Sequence, residues 1–240
     1  MPIRFHRLAA GLALAAGSFF AQAGVPGQGT WESTLLGRDL NGDSVADAFY
    51  DRTLDVTWMA DAGALPLMSR ADGWAGATSW AAQLDLHGVT GWRLPALYDS
   101  GAPGCDAEDA YGGGDCGYNV RPDTSELAHL FFVTLGNASI FDGSGTPVPD
   151  GGLGNTGPFS NVQSDAYWLG TPYQDGVGLS AWYFSTAVGV QGGSNRGNPL
   201  YAWAVRDGDV ASPAPEPATW GLMLGGLAMV ALGRRGRARR

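Results

Sequence analysis

The clearest chemical pattern in the chain is the run Asp39-Leu40-Asn41-Gly42-Asp43-Ser44-Val45-Ala46-Asp47. Asp39, Asn41, Asp43 and Asp47 place side-chain oxygens at positions 1, 3, 5 and 9 of a calcium-loop spacing, and the Val45 carbonyl falls at position 7. Calcium is a hard cation that gathers many oxygens, so carboxylates at alternate residues of a tight turn suit its chemistry. Position 6 is Ser44, where such a loop wants Gly, and position 12 is Tyr50, with Asp51 one place late. The alternative reading is an Asx-rich turn leading into a strand at Phe49-Tyr50.

Cys105 and Cys116 are the only cysteines. In an exported chain they are expected to form a disulfide, worth about 3 kcal/mol by loop entropy. Between them lie Asp106, Glu108, Asp109 and Asp115, which make either a second cation site or a solvated acidic loop. Zinc is disfavoured, because two cysteines without a nearby histidine leave too few ligands. His87 is expected at a helix end before Gly88, where a cation suits the dipole. His129 is expected on the exposed face of another helix. Neither lies beside a Ser or Cys motif, so the sequence offers no nucleophilic triad. The many acids single out no pair for glycoside hydrolysis, and no catalytic residue is assigned. Trp58, Trp92, Trp182 and Trp203 are expected in the core, whereas Trp168 and Tyr173, beside loops, are candidates for stacking on a sugar ring. Arg93 and Arg206 are expected to pair with carboxylates.

The elements positioning these residues read as α+β. Leu54, Val56 and Trp58 alternate with polar residues as in a half-buried strand. Within residues 73–88, Trp74, Ala77, Ala81 and Leu84 share a helical face, with Gly88 at the end. A second helix over 124–135 presents Leu127, Leu130, Phe131 and Leu135, with Asp123 and Glu126 as a capping box and Gly136 following. Two later strands put Trp182, Phe184 and Thr186 on one side, and Tyr201, Trp203 and Val205 on another. Residues 136–162 are rich in Gly, Pro and Asn and read as a long loop, a place where binding surfaces are built.

Composition narrows the function. The 38 Gly and 14 Pro would suit low complexity, but nine Trp and 45% hydrophobic residues exclude a disordered chain. All 14 cations are Arg, and residues 24–212 hold seven of them against 22 acids. So acidic a body repels phosphate backbones and anionic glycans, which excludes nucleic acid as a partner and welcomes divalent cations.

Both ends look like addresses. Arg4 and Arg7 precede the apolar run 8–20, and Ala21-Gln22-Ala23 supplies an A-x-A cleavage site, so residues 1–23 read as a secretory signal peptide. Pro213, Pro215 and Pro217 then break any helix ahead of the uncharged run 218–232, which ends in an Arg-rich tail. Fifteen apolar residues reach about 22 Å as a helix, a marginal span for a hydrocarbon core of about 30 Å. The Arg cluster would stay cytoplasmic and leave the body outside.

Pro215-Glu216-Pro217, the short apolar helix and the Arg tail together resemble a PEP-CTERM sorting signal. The resemblance implies a Gram-negative bacterium and processing by signal peptidase and an exosortase. The chain would pass through an inner-membrane intermediate and reach the cell surface or the exterior. Residues 213–240 would then be a processing segment.

The body, 24–212, carries ordered landmarks: Val56-Thr57-Trp58, Gly91-Trp92-Arg93-Leu94-Pro95, Ser125-Glu126-Leu127, Tyr167-Trp168-Leu169-Gly170, Ala181-Trp182-Tyr183-Phe184 and Tyr201-Ala202-Trp203-Ala204-Val205-Arg206. The series resembles the Lcl-type C-terminal domain over about residues 50–208. That implies a C-type-lectin-like fold of two helices, small antiparallel sheets and long loops, in a family some of whose members bind glycans or act in adhesion and biofilm. The E-P-N or Q-P-D and W-N-D triplets of sugar-binding C-type lectins are absent, and Val148-Pro149-Asp150 is the nearest approach. The expectation is a non-catalytic surface or matrix protein that binds extracellular polysaccharide. The alternatives are a polysaccharide hydrolase and a structural surface module without a ligand.

Overall fold

The computed structural model describes residues 28–65, 71–101, 105 and 110–210. The expected signal peptide (1–23) and sorting segment (213–240, with Pro215, Glu216 and Pro217) lie outside the described residues, as do Asp106, Glu108 and Asp109. No helix among the described residues is long and apolar enough to cross a membrane.

Two small antiparallel sheets and a few short helices make a mixed α+β fold. After a single helical turn, α1 (Trp31–Thr34), the first sheet uses β1 (Leu35–Arg38), β2 (Ala48–Asp51), β3 (Val56–Met59) and β8 (Val205–Asp207), in the order β1-β2-β3-β8. A four-residue turn joins β2 to β3. The buried Asp51 makes it, its Oδ1 accepting the N–H groups of Thr53 at 2.8 Å and Leu54 at 3.3 Å. Asp55 then takes a left-handed φ of 53°, a conformation Asp tolerates better than most residues. Leu54 therefore belongs to the turn. The expected half-buried alternation is corrected too: Val56, Thr57 and Trp58 are all buried, because β3 is a central strand covered on both faces. The Thr57 hydroxyl tolerates burial by donating to the Gly208 carbonyl at 2.7 Å.

The second sheet has the order β4-β7-β6-β5, from β4 (Gly117–Tyr118), β5 (Ala166–Pro172), β6 (Ser180–Ser185) and β7 (Val190–Asn195). Successive strand residues point to opposite faces, and both faces of this sheet are covered. Trp182 and Phe184 join the main core with Trp58, Leu130, Phe131 and Trp203, while Ala181 and Trp168 face a second cluster beneath α2 (Gly73–Gln83). In α2, Gly73, Ala77 and Ala81 are buried and let the helix sit close to the strands. The helix ends at Gln83, before the expected Gly88. Residues 86–89 form their own tight turn, with His87 and Gly88 at φ 52° and 86°.

The second helix is an α-turn, α3 (Glu126–His129), running into a π-helical turn, Leu130–Thr134. Its apolar stripe is as expected: Leu127, Leu130, Phe131 and Leu135 are at most 2% exposed. Burying such side chains stabilises by about 2 kcal/mol each. Its cap is a correction, since Ser125 accepts the Ala128 N–H at 3.4 Å, whereas the expected Asp123 pairs with Arg121. Gly136 ends the turn at φ 68°, and a Cβ there would strike the Gly29 backbone, so only Gly fits. His129 is half-buried with its Nε2 enclosed and unpartnered, not on an exposed face.

Candidate functional site

Cys105 and Cys116 are disulfide-bonded, as expected, with Cα atoms 4.8 Å apart. The bridge fixes the start of β4 next to Asp115, whose buried carboxylate accepts the Ser100 N–H and hydroxyl at 2.6 and 2.7 Å. Gln191 on β7 ties this corner to α3: its Nε2 donates to the Asp115 carbonyl at 2.6 Å and its Oε1 accepts the Ser125 hydroxyl at 2.7 Å. Asp115 thus helps hold the fold at this corner.

Residues Asp39 to Asp47 form a turn closed by its own side chains. Asp39 accepts the N–H of Gly42 at 2.6 Å and of Ser44 at 2.8 Å. Asn41 Oδ1 accepts from Asp43, Asp43 Oδ1 from Val45, and Asp47 Oδ2 from Leu40, each at 2.8 Å. The Ser44 N–H, foremost among these donors, holds the Asp39 carboxyl below the usual carboxylate range. His87 comes to this turn rather than to a helix end, its Nε2 lying 3.2 Å from Asp47 Oδ1. Among the described residues no group of three or more His, Cys, Asp and Glu converges as a metal site. The side chains of Asp39, Asn41, Asp43 and Asp47 each accept from the turn's own backbone.

The two stacking candidates fare differently from expectation. Trp168 is 0% exposed in the cluster with Ala77, Ala81, Leu94 and Ala202, and no indole face is open to a sugar. It lost its apparent loop position because α2 covers that side of β5. Tyr173 is half-buried, edge-on to Trp182 with ring centroids 4.7 Å apart, and sits so close over Gly193 that a Cβ there would lie 2.7 Å from the ring. Trp58, Trp92, Trp182 and Trp203 are buried, as expected.

Arg93 pairs with carboxylates, Glu126 and Asp207. Among the described residues Arg206 has no carboxylate partner: its Nε and Nη1 donate to the carbonyls of Thr90 at 2.7 Å and Asp207 at 3.2 Å.

The long loop 136–162 is where a ligand-sized surface forms. Asn137 Oδ1 accepts the N–H of Gly154 at 3.0 Å and of Asn155 at 2.8 Å. Asn155 Nδ2 reaches back to the carbonyls of Leu135 at 2.7 Å and Gln28 at 3.1 Å. These amides replace a β-ladder and hold an irregular backbone in place. Between them opens a cleft of about 450 Å³ lined by Trp31, Asn137, Asp150 and Asn155 with Gln28 and Gly136. The Trp31 indole N–H is enclosed and has no partner among the described residues. Asp150 is exposed, at a left-handed φ of 59°. A cleft of this size suits a small-molecule fragment, with an aromatic wall and a few polar groups to orient it. Sequence reasoning located the loop but missed Trp31, Asn137 and Asn155. The usable signal was the recurrence of Asn in a Gly-rich stretch, where a side-chain amide can stand in for backbone partners.

The chain matches no family model, no curated protein and no solved structure.

Proposed function

We propose that the chain is an exported bacterial surface or matrix protein, sorted by a PEP-CTERM/exosortase system, that binds extracellular polysaccharide through its loops without catalysing a reaction. The body in this reading is C-type-lectin-like, and its C-terminal apolar segment is a transient membrane helix. The observation that carries binding is the 450 Å³ cleft walled by Trp31 and rimmed by Asn137, Asp150 and Asn155. Pyranose rings present an apolar C–H face and ring hydroxyls, and an indole wall beside the exposed Asp150 carboxylate offers partners to both. The signal-like residues 1–23 and the Pro215-Glu216-Pro217 segment support export and sorting. The disulfide suits an oxidising compartment. Only one acid, Asp150, lines the cleft among its described residues, and glycoside hydrolysis ordinarily needs two, which supports binding over catalysis.

The test is a glycan array together with exopolysaccharide extracts, run with and without calcium. Retention of a neutral polymer of unchanged length is expected, and loss of polymer length would favour the hydrolase. No retention in either condition would overturn the binding role. Mass spectrometry of the chain made in an exosortase-bearing host reads the sorting half. A new C-terminus near Pro215-Glu216-Pro217 is expected, and an intact tail would overturn it.

A further inference from the structure

We infer that a second glycan subsite lies on the flank of α2, where the Trp80 indole and the side-chain-free Gly76 accept the apolar face of a neutral pyranose; this rests on the polysaccharide-binding reading above. Trp80 is half-buried, with part of its surface packed near Trp92, Ala48 and Ala204. It also packs against the cluster of Ala77, Ala81 and Trp168, and its remaining surface borders a cleft of about 350 Å³ lined by Asp72, Gly76, Ser79, Gln83 and Asp85. Positions 76, 80 and 83 are one turn apart, and helical side chains lean toward the N-terminus, so the Trp80 ring lies over the turn at Gly76. Any other residue at 76 would project a side chain into that space. Gly is a poor helix former, and Gly76 is not among the buried residues of α2.

The polar groups around the ring are available. Gln83 Nε2 donates to Ser79 Oγ at 2.7 Å, which orients the amide and leaves Gln83 Oε1 without a partner among the described residues. Asp72, just before α2, makes no side-chain cap to the helix. Asp85 stands at the other end, one oxygen accepting the Gly88 N–H at 2.7 Å. An aromatic floor with a carboxylate at each end accepts hydroxyl donors and repels anions, which selects a neutral sugar over a uronate or a sulfated unit. The cleft shares no lining residue with the one at Trp31, so the two can be varied independently.

The experiment measures binding of whichever neutral polysaccharide the native chain retains, and follows the Trp80 indole proton by NMR, identified by its loss in Trp80→Phe. Gly76→Gln fills the space over the ring while improving the helix. It is expected to weaken binding about tenfold and to raise the unfolding midpoint. Opposite movements of affinity and stability cannot come from misfolding. Trp80→Phe keeps an aromatic face but loses the N–H and ring area, and a several-fold loss is expected. If the native chain binds and both variants bind equally well, the subsite is overturned while the polysaccharide reading stands. If the native chain retains no glycan, both are overturned.

Discussion

The Arg93 guanidinium holds the Glu126 carboxylate through two parallel N–H···O bonds of 2.8 Å each. Glu126 Oε2 also accepts the Ala96 N–H at 2.6 Å, and Arg93 also donates to Asp207 on β8. One cation therefore joins the loop after Trp92, the first turn of α3 and the last strand of the first sheet. The hydrogen bonds donated to Glu126, with help from Asp207 and against the cost of burial, raise the guanidinium pKa above its ordinary value.

Arg93→Ala strands a partly buried Glu126 and is expected to cost about 2 kcal/mol. Arg93→Lys is expected to recover little of that, because an ammonium cannot reproduce the planar fork. Urea titration reads both variants as a lower midpoint at unchanged slope. A midpoint equal to that of the native chain would show the pair to be ornamental.

Asp175 makes the tip of the β5–β6 hairpin sensitive to acid. The Ser180 side chain foremost, then the N–H groups of Val177, Gly178 and Leu179, stabilise its carboxylate and bring its pKa to about 2. Because the folded value lies below the ordinary carboxylate value of about 3.9, the contribution is present above pH 4 or so and is lost as pH falls toward 2. Hydrogen exchange at residues 177–179 is expected to accelerate across that window, and Asp175→Asn should show the fast exchange at every pH. Protection that is flat from pH 5 to 2 would contradict the assignment.

In the Asp39–Asp47 turn, Asp39, Asn41, Asp43 and Asp47 each already accept at least one backbone N–H. Unfolding midpoints in calcium and in EDTA are therefore expected to coincide. Asp39→Ala, which frees the N–H groups of Gly42 and Ser44, is expected to lower the midpoint slightly and equally in both conditions. A rise in midpoint with calcium would reassign these oxygens to an ion.

Sequence periodicity was a good guide wherever burial on one face decides the structure. Leu127, Leu130, Phe131 and Leu135 stayed on the core side even though the helix widens into a π turn, because spacings of three and four residues survive that change. It failed where a distant partner intervenes. Glu126 is drawn to Arg93, thirty-three residues away in sequence, so the expected capping box gives way to a Ser125 cap. Trp168 looked like a loop-side aromatic because nothing local says that α2 will cover β5. The loop cleft was legible as a region but not in its residues, since Asn137 and Asn155 act by bonding backbone groups that only the folded loop brings together.

The pairing of β8 with β3 has a mechanical consequence. The strand leads out of the folded body through Asp209, which Arg38 clamps with two contacts of 2.7 Å, while Trp203 sits in the core just before the strand begins. Tension arriving from beyond Val210 meets that surface clamp first, then a three-residue ladder on a central strand, and last an indole wedged against Trp58 and Phe159. Load is thus resisted in graded steps, and an outer step can yield and re-form while the Trp58 core stays closed.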